Sequence, residues 1–252
     1  MARNFDGLDD SINCGSAVAL DDIVPFTWSC WIYPETFGEL NEGWILGKGT
    51  KKRIKLKNDA APLASFEMTV VRTVNATAKS AANQIVLNTW QFVACTYEST
   101  DGPRLYYGTP GGSASEVAYF SRDAGSGAEA SEAADSFLIA TNSPLTRSFD
   151  GLISGVRLVN RILSVDQLNH TMRGVFDPRN IYGWWELFGT ASPEPDWSGN
   201  NNHGTVTGAL QADHPPGISA IWLAPNPNRK QSAVAAAGQP YLKRLGGIMG
   251  VE

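Results

Sequence analysis

The sequence is poor in the residues that build disulfide frameworks, metal clusters and membrane spans. It has three cysteines and three histidines among 252 residues, and an odd number of widely spaced cysteines fits neither a disulfide set nor a zinc site. No apolar run reaches the ~18 residues that cross a bilayer. The net charge of −5 offers no basic surface for a polyanion. We therefore expect no nucleic-acid partner and no membrane insertion.

The start of the sequence lacks the apolar segment of an ordinary secretory signal. Residues 1–4 lead directly into Phe5-Asp6-Gly7, where a signal peptide would place a run of apolar residues. We expect from this that a protein found outside a cell would leave it by another route, such as lysis.

Short strand patterns dominate what is present. Runs of β-branched and aromatic residues, bounded by Gly, Pro, Asn and Asp, recur about every ten residues; examples are 26–33, 44–47, 91–97 and 152–159. This spacing is typical of an antiparallel sandwich or jelly roll, and the βαβ alternation of a parallel fold is missing. Cys30 and Cys95 lie inside two of these runs, where cysteine acts as a small apolar residue.

One helix is predicted after the last strong strand pattern. Ser164 and Gln167 have the spacing of a capping box, and Gly174 supplies a C-terminal stop. Apolar residues recur between them at helical steps: Val165, Leu168 and Met172. We expect a helix of about ten residues that closes the edge of the sandwich.

Two further stretches lack strand alternation. Residues 123–135 are acidic and rich in Ala, Gly and Ser, which predicts a surface loop or flexible insertion. Residues 218–252 combine apolar and basic side chains, which is too apolar for an inert linker, and we predict an extended arm that binds a partner. The arm residues that we expect to make contacts are Ile221, Trp222, Arg229, Lys230, Tyr241, Lys243 and Arg244.

Three groups of segments resemble the laminin-G-like, concanavalin A-like jelly-roll family. Residues 5–12 resemble its opening strand, residues 26–34, 44–49 and 89–97 its middle pattern, and residues 149–164 its last strand and short helix. The resemblance covers about residues 5–175. It implies an all-β fold, an antiparallel two-sheet β-sandwich of the concanavalin A-like jelly-roll type with one short helix, within a domain of residues 1–217.

A fourth segment resembles the lead-in motif of this family, but it stands in an unusual place. In many relatives the motif precedes the opening strand, whereas residues 183–208 follow the helix. A jelly roll brings its first and last strands together, so a strand supplied from either end can fill the same position. We predict that this segment provides the closing strand. The order is similar to that of phage and environmental proteins.

No catalytic set is evident in the sequence, and we predict a non-catalytic protein. Retaining glycoside hydrolysis needs two carboxylates about 5 Å apart. Asp9 and Asp10 are adjacent and would face opposite sides of a strand. Glu194 and Asp196 have the right spacing, but they flank Pro195 and are better explained as a turn. A hydrolase or lyase assembled from distant residues stays the less favoured alternative.

The resemblance implies that a structural calcium ion is the only cofactor to consider. Its candidate ligands here are Asp6, Asp150, Asp196 and Asn200. Relatives usually carry an acidic pair where this sequence has Ser154-Gly155, so two carboxylates are missing. The alternative is that these residues form turns. We favour that alternative because ligand charge largely sets calcium affinity.

Sugar binding would use an exposed aromatic face with polar neighbours. Trp197 lies in an Asn-rich segment and is the best candidate, with Asn201 and His203 beside it. Trp28 and Trp31 would face opposite sides of one strand, so that one could be buried and the other exposed.

Two function classes therefore follow from the sequence. The first is a phage virion protein, associated with a capsid or tail, that assembles with itself or other virion proteins through residues 218–252 and binds glycans weakly. It would be located on a virion or particle surface, or outside the cell after lysis. The alternative is a lectin-like carbohydrate-binding module that recognises cell-surface or polymeric glycans.

Overall fold

The computed structural model describes residues 1–60, 63–175, 177–188 and 191–216. In this part of the chain it contains nineteen strands, two short 3-10 helices (Val18–Leu20 and Glu39–Asn41) and the helix α1 (Val165–Met172). The strands are β1 (Ala2–Asp6), β2 (Ser11–Asn13), β3 (Phe26–Pro34), β4 (Trp44–Lys48), β5 (Lys52–Ala60), β6 (Leu63–Val70), β7 (Arg72–Val74), β8 (Ala76–Ser80), β9 (Ile85–Val86), β10 (Gln91–Glu98), β11 (Gly102–Gly108), β12 (Ser115–Glu116), β13 (Tyr119–Asp123), β14 (Ser126–Glu129), β15 (Phe137–Ile139), β16 (Asp150–Val159), β17 (Ile181–Trp185), β18 (Thr205–Thr207) and β19 (Leu210–Ala212). All of the arm residues predicted to bind a partner lie outside the described residues.

The strands form two large antiparallel sheets. Sheet A has the order β12-β11-β10-β3-β16-β1-β19, with β17 also paired to β16. Sheet B has the order β13-β8-β6-β5-β4-β15-β2-β18, with β9 also paired to β6, and β14 and β7 form a small separate ribbon. This arrangement confirms the predicted two-sheet β-sandwich.

Side chains from the inner faces of both sheets form the main core. In β3, Trp28 and Cys30 point inward, and the Trp28 ring meets the edge of Phe137 at 5.3 Å. Phe137 in turn stacks on Trp185 at 5.6 Å. The three cysteines are buried and unpaired, and burial raises the pKa of the Cys30 and Cys95 thiols. Cys30 and Cys95 therefore act as the apolar residues that the strand pattern predicts.

Helix α1 covers the outer face of sheet A. The predicted capping box is present, because Ser164 Oγ accepts from Gln167 N and Gln167 Oε1 accepts from Ser164 N. Leu168 and Met172 pack into a second apolar cluster on this face. We predicted that the helix closes the edge of the sandwich, and this was wrong because it covers a sheet face. Val165 is exposed and is not part of the apolar side of the helix.

Helix α1 also buries the second tryptophan of β3, which could have been exposed on the outer face. Trp31 does point away from the main core, as alternation predicts, but it is only 3% exposed. Its indole Nε1 donates to the carbonyl of Met172 at 3.2 Å. Trp28 and Trp31 are therefore both buried, one between the sheets and the other beneath α1.

The segment predicted to supply one closing strand contributes to both sheets. Within or beside residues 183–208, β17 pairs with β16 in sheet A, while β18 pairs with β2 in sheet B. A buried ion pair joins the segment to the first strand, because Arg3 Nε and Nη2 both donate to Glu194 Oε2, at 3.1 and 3.0 Å. Strand β19 then extends sheet A beside β1.

Residues 123–135 are held more firmly than their composition suggests. Strand β14 pairs with β7, and Glu132 forms a buried ion pair with Lys52. Asp22 accepts from the backbone N–H of Glu132 and from Ser131 Oγ. The predicted surface position agrees with the exposure of most of these residues, but composition did not reveal strand β14 or these long-range partners.

Candidate functional site

The loop between β17 and β18 is built around the carboxylate of Asp196. Its Oδ1 accepts from the backbone N–H groups of Trp184 and Ser198, at 3.1 and 2.9 Å. Its Oδ2 accepts from Ser198 Oγ and Asn202 N, at 2.7 and 3.0 Å. Four hydrogen bonds occupy the acceptor sites of a carboxylate. Asp196 therefore shapes the loop, in line with its interpretation as a turn residue.

This loop holds Trp197 next to two other aromatic side chains. The Trp197 ring lies 6.4 Å from Trp184 and 6.5 Å from Phe188, centroid to centroid. Trp197 is 40% exposed, and the other two rings are partly exposed. We call these three residues the aromatic shelf. Trp184 and Phe188 were not predicted, although residues 184, 186 and 188 alternate along the chain and could have indicated a shared face.

Charged groups border the aromatic shelf. Trp184 Nε1 donates to Glu186 Oε1 at 2.6 Å, and Arg157 Nη2 donates to the same oxygen at 2.5 Å. The Arg157 guanidinium carbon lies 5.8 Å from the centre of the Trp184 ring, a cation–π distance. The shelf thus combines flat apolar faces with fixed hydrogen-bonding groups, the combination that small-ligand sites use.

The other two predicted ligand residues lie elsewhere on the same loop. Asn201 and His203 are exposed and line an open cavity of about 510 Å³ beside β2. His203 Nδ1 accepts from the backbone N–H of Asp196 at 3.0 Å, and Asn201 has a φ of 59°. Trp197 is not among the residues of this cavity, so the structure does not bring the three predicted ligand residues together in one cavity.

The four predicted calcium ligands are also divided between two places. Asp6 and Asp150 are register partners in β1 and β16. Asp196 and Asn200 instead make hydrogen bonds to the backbone of β17, at Trp184 and Tyr182. Strand β17 pairs with the other end of β16, where Trp184 lies opposite Arg157. The two ends are roughly 20 Å apart along an extended strand. Asp6 Oδ1 accepts from Leu8 N, as a turn residue would, whereas Asp150 Oδ2 accepts from Thr36 Oγ1, which is distant in the sequence. The set of four therefore does not form one site.

A different acidic cluster lies in the turn after β1. Asp6, Asp9 and Asp10 each place a carboxylate oxygen within 4.8 Å of the others. Strand alternation does not apply in a turn, so the prediction that Asp9 and Asp10 face opposite sides was wrong. Burial, and then the charges of Asp6 and Asp9, raise the pKa of Asp10, against the hydrogen bond from Asp6 N. Hard oxygen ligands at this spacing suit calcium, and these three are the residues that could hold it.

A pair of carboxylates lies on the outer face of sheet B. Lys55 Nζ contacts Glu42 Oε1 at 2.9 Å and Glu67 Oε1 at 3.4 Å, so the two acid oxygens are at most about 6 Å apart, close to the spacing in glycosidases. Burial opposes the ionisation of Glu42, but hydrogen bonds from Lys57 and Lys55 outweigh it and lower the pKa of Glu42 to about 2. A general acid needs a raised pKa, so this pair serves as an ion-pair network.

A family model described as the concanavalin A-like lectin/glucanases superfamily, of the laminin G type, matches residues 6–169. The chain belongs to this superfamily. No curated protein matches the chain.

Solved structures show the same fold at low identity. A protein from Bacteroides ovatus ATCC 8483, described as "a putative carbohydrate binding protein", has a TM-score of 0.60 and 19% identity over 86% of this chain and 61% of its own. The chain thus spans less than two thirds of that protein's length. The heptameric SAP-like pentraxin of Limulus polyphemus has a TM-score of 0.50 and 13% identity, over 69% of this chain and 82% of its own.

A weaker similarity is found to tailspike protein 2 of the Escherichia coli O157:H7 bacteriophage CAB120. Its TM-score is 0.49 and its identity 11%, over 73% of this chain and 26% of the tailspike. We draw no functional argument from a similarity at this level. In the described part of the chain, no helix has the length and apolar character needed to cross a membrane.

Proposed function

We propose that this superfamily member is a non-catalytic carbohydrate-binding module that holds a sugar ring on the aromatic shelf. The observation that supports this most directly is the exposed face of Trp197, 40% accessible, beside Trp184 and Phe188. Large aromatic faces bury much area at little entropic cost. The Glu186 carboxylate beside them can accept hydrogen bonds from sugar hydroxyls.

The ion pairs on the outer face of sheet B support the proposal that the protein is non-catalytic. Glu42 and Glu67 have the spacing of a hydrolytic pair, but Lys55 lies between them. The pKa of Glu42 is lowered to about 2, so this carboxylate is ionised at neutral pH. Such a carboxylate cannot donate the proton that a leaving sugar needs. Glu194 is likewise occupied by Arg3, and Asp196 by four hydrogen bonds from its own loop.

Calorimetric titration with a panel of oligosaccharides would test this proposal. Trp197→Ala removes the most exposed ring of the shelf, and we expect it to weaken binding roughly tenfold, the scale of a lost aromatic contact. Phe120→Ala is the matched control, because Phe120 is 72% exposed in β13 of the other sheet, and we expect it to leave the affinity unchanged.

Two results would contradict the proposal. Equal affinity of the wild type and Trp197→Ala for every bound sugar would remove the shelf as the binding site. Release of reducing ends from any polysaccharide, abolished by Glu67→Gln, would show that the protein is an enzyme.

We extend this proposal to assembly on a virion, on the basis of the motif order and the composition of residues 218–252. Many copies of a weak site on one particle can raise avidity by about 10²–10⁴. We expect deletion of residues 219–252 to leave a folded, monomeric sandwich, while the intact chain forms a larger species in light scattering. The same number of subunits per particle for both proteins would contradict the assembly part alone and leave the glycan proposal intact.

A further inference from the structure

A second cavity lies beside the aromatic shelf, between α1 and the end of β16. Its volume is about 220 Å³, below the ~300 Å³ of pockets for drug-sized ligands, so it suits one small chemical group. Its polar lining residues are Arg157, Arg161, Gln167, His170, Thr171 and Asp177, with Val159, Leu163 and Val175 between them.

The polar groups of this cavity are mainly hydrogen-bond donors. Arg161 has five N–H groups, and its Nη2 donates to Asp177 Oδ2 at 3.3 Å. Its Nε is buried and has no hydrogen-bond partner among the residues that the structure describes. The capping box holds Gln167 Oε1 on Ser164 N, which leaves the amide nitrogen of Gln167 as a donor. A buried donor such as Arg161 Nε favours an acceptor that carries negative charge.

The local charge balance also favours an anion. Arg161 shares Asp177 with Arg179, which donates to the same carboxylate at 2.7 Å. Arg157 is paired with Glu186. The cavity lining thus holds two guanidinium groups, those of Arg157 and Arg161, and one carboxylate, Asp177, although the chain as a whole has a net charge of −5. An added carboxylate would complete the charge pairing.

Arg157 connects the cavity to the aromatic shelf. Its side chain lines the cavity, and its guanidinium carbon lies 5.8 Å from the Trp184 ring. Trp184 is 6.4 Å from Trp197. A chain of two contacts therefore leads from Arg157, on the wall of the cavity, to the exposed ring of Trp197.

We propose that this cavity binds the carboxylate of a uronic acid residue, so that the glycan held on the aromatic shelf is an acidic one. The planar fork of Arg161 matches a carboxylate in two parallel hydrogen bonds. This inference rests on the proposed function and narrows its substrate class from glycans in general to hexuronate-containing oligosaccharides.

A matched pair of ligands isolates the carboxylate. The probes are an oligogalacturonate and the same oligosaccharide after its carboxylates have been reduced to primary alcohols. We expect the wild type to bind the acidic form about tenfold more tightly. We also expect sodium chloride to weaken the binding of the acidic form much more than that of the reduced form.

Variants of the full-length protein then locate the effect. Arg161→Gln should weaken the acidic ligand about tenfold and leave the reduced ligand within twofold, while Arg161→Lys, which keeps the charge but loses the fork, should lie between. Arg173→Gln is the control, because Arg173 is exposed at the end of α1 and does not line the cavity. It should change neither affinity. Trp197→Ala should weaken both ligands.

Each other outcome overturns the inference in a distinguishable way. If Arg161→Gln weakens both ligands equally, or neither, the cavity does not recognise the carboxylate. If the wild type prefers the reduced oligosaccharide and Trp197→Ala still weakens the binding of that ligand, the proposed function stands and the acidic substrate class is wrong. If an oligosaccharide that carries sulfate esters binds through Arg161 and oligogalacturonate does not, the carboxylate assignment is wrong. If no glycan binds, both proposals are wrong.

Discussion

The two outer faces of the sandwich differ in the contacts that their outward-pointing side chains make. On sheet A, Trp31 and Phe92 point outward and are covered by Leu168 and Met172 of α1. On sheet B, outward residues such as Lys55 pair with carboxylates of their own face. An apolar face needs a cover, and here exposed aromatic rings lie where the cover ends. An ion-paired face needs no cover, and its exposed ring, Phe120, lies against the ammonium group of Lys79. This difference is why we assign binding to the side of sheet A.

The largest effect should come from removing the cover of sheet A. Leu168 belongs to α1 and is fully buried on the side of the helix that faces sheet A. Leu168→Ala should lower the free energy of unfolding by about 2–5 kcal/mol, the range for buried leucines. Urea denaturation would measure this. Val165→Ala in the same helix is the control, and at 42% exposure it should cost less than about 0.5 kcal/mol. Equal losses for the two variants would show that α1 does not pack as described.

A smaller, pH-dependent effect should come from the ion-paired face of sheet B. The pKa of Glu42 is lowered to about 2 from an ordinary value of 4.5. Its charge therefore contributes stability above pH 4.5, and this contribution is lost as the pH falls towards 2. Because Glu42 is 22% exposed, solvent screens part of it, and Glu42→Gln should cost about 1–3 kcal/mol at pH 7.

Chemical denaturation of the wild type and Glu42→Gln between pH 3 and 7 would show the difference shrinking with acid. Glu116→Gln is a suitable control, since the pair of Glu116 with Arg104 is 34% and 40% exposed and should contribute little. A difference at Glu42 that stays constant with pH would contradict the ion-pair account of this face.

The smallest effect should be a gain in stability at the acidic turn. The pKa of Asp10 is raised by burial and by Asp6 and Asp9. Its contribution to stability is therefore present below the ordinary pKa of 3.8 and is lost as the pH rises, so the ionised group is unfavourable at neutral pH. Asp10→Asn should therefore raise the free energy of unfolding in EDTA.

Calcium should reverse that order. Calcium bound between Asp6, Asp9 and Asp10 would stabilise the wild type by mass action and the Asp10→Asn variant less. Thermal unfolding with EDTA and with millimolar calcium chloride would measure both proteins. A wild type that is insensitive to calcium would contradict calcium binding at this turn, and a destabilised variant in EDTA would contradict the repulsion.

The sequence predicted the parts of this structure that depend on neighbouring residues. The capping box of Ser164 and Gln167 fixes the start of α1 locally, and alternation correctly placed Trp28 and Trp31 on opposite sides of β3. Local pattern contains no information on which sheet α1 would cover, so the burial of Trp31 was not predictable from it.

The candidate site was harder to predict because long-range contacts assemble it. Arg157 reaches Trp184 and Glu186 only because β16 pairs with β17. In the same way, Glu42 and Glu67 meet at Lys55 from separate segments. The prediction of Trp197 as the exposed ring rested on its polar surroundings, and its exposed face agrees with that prediction. Its aromatic neighbours required the three-dimensional structure.

The indole region of a ¹H–¹⁵N spectrum would test the location of glycan binding most directly. The chain has eight tryptophans, and each gives one indole signal that a Trp→Phe variant can assign. Titration with an oligogalacturonate should shift the signals of Trp184 and Trp197 and leave Trp44, which lies across from Lys55 in sheet B, unchanged. A shift of Trp44 with the shelf unaffected would place the ligand on the ion-paired face and contradict the account.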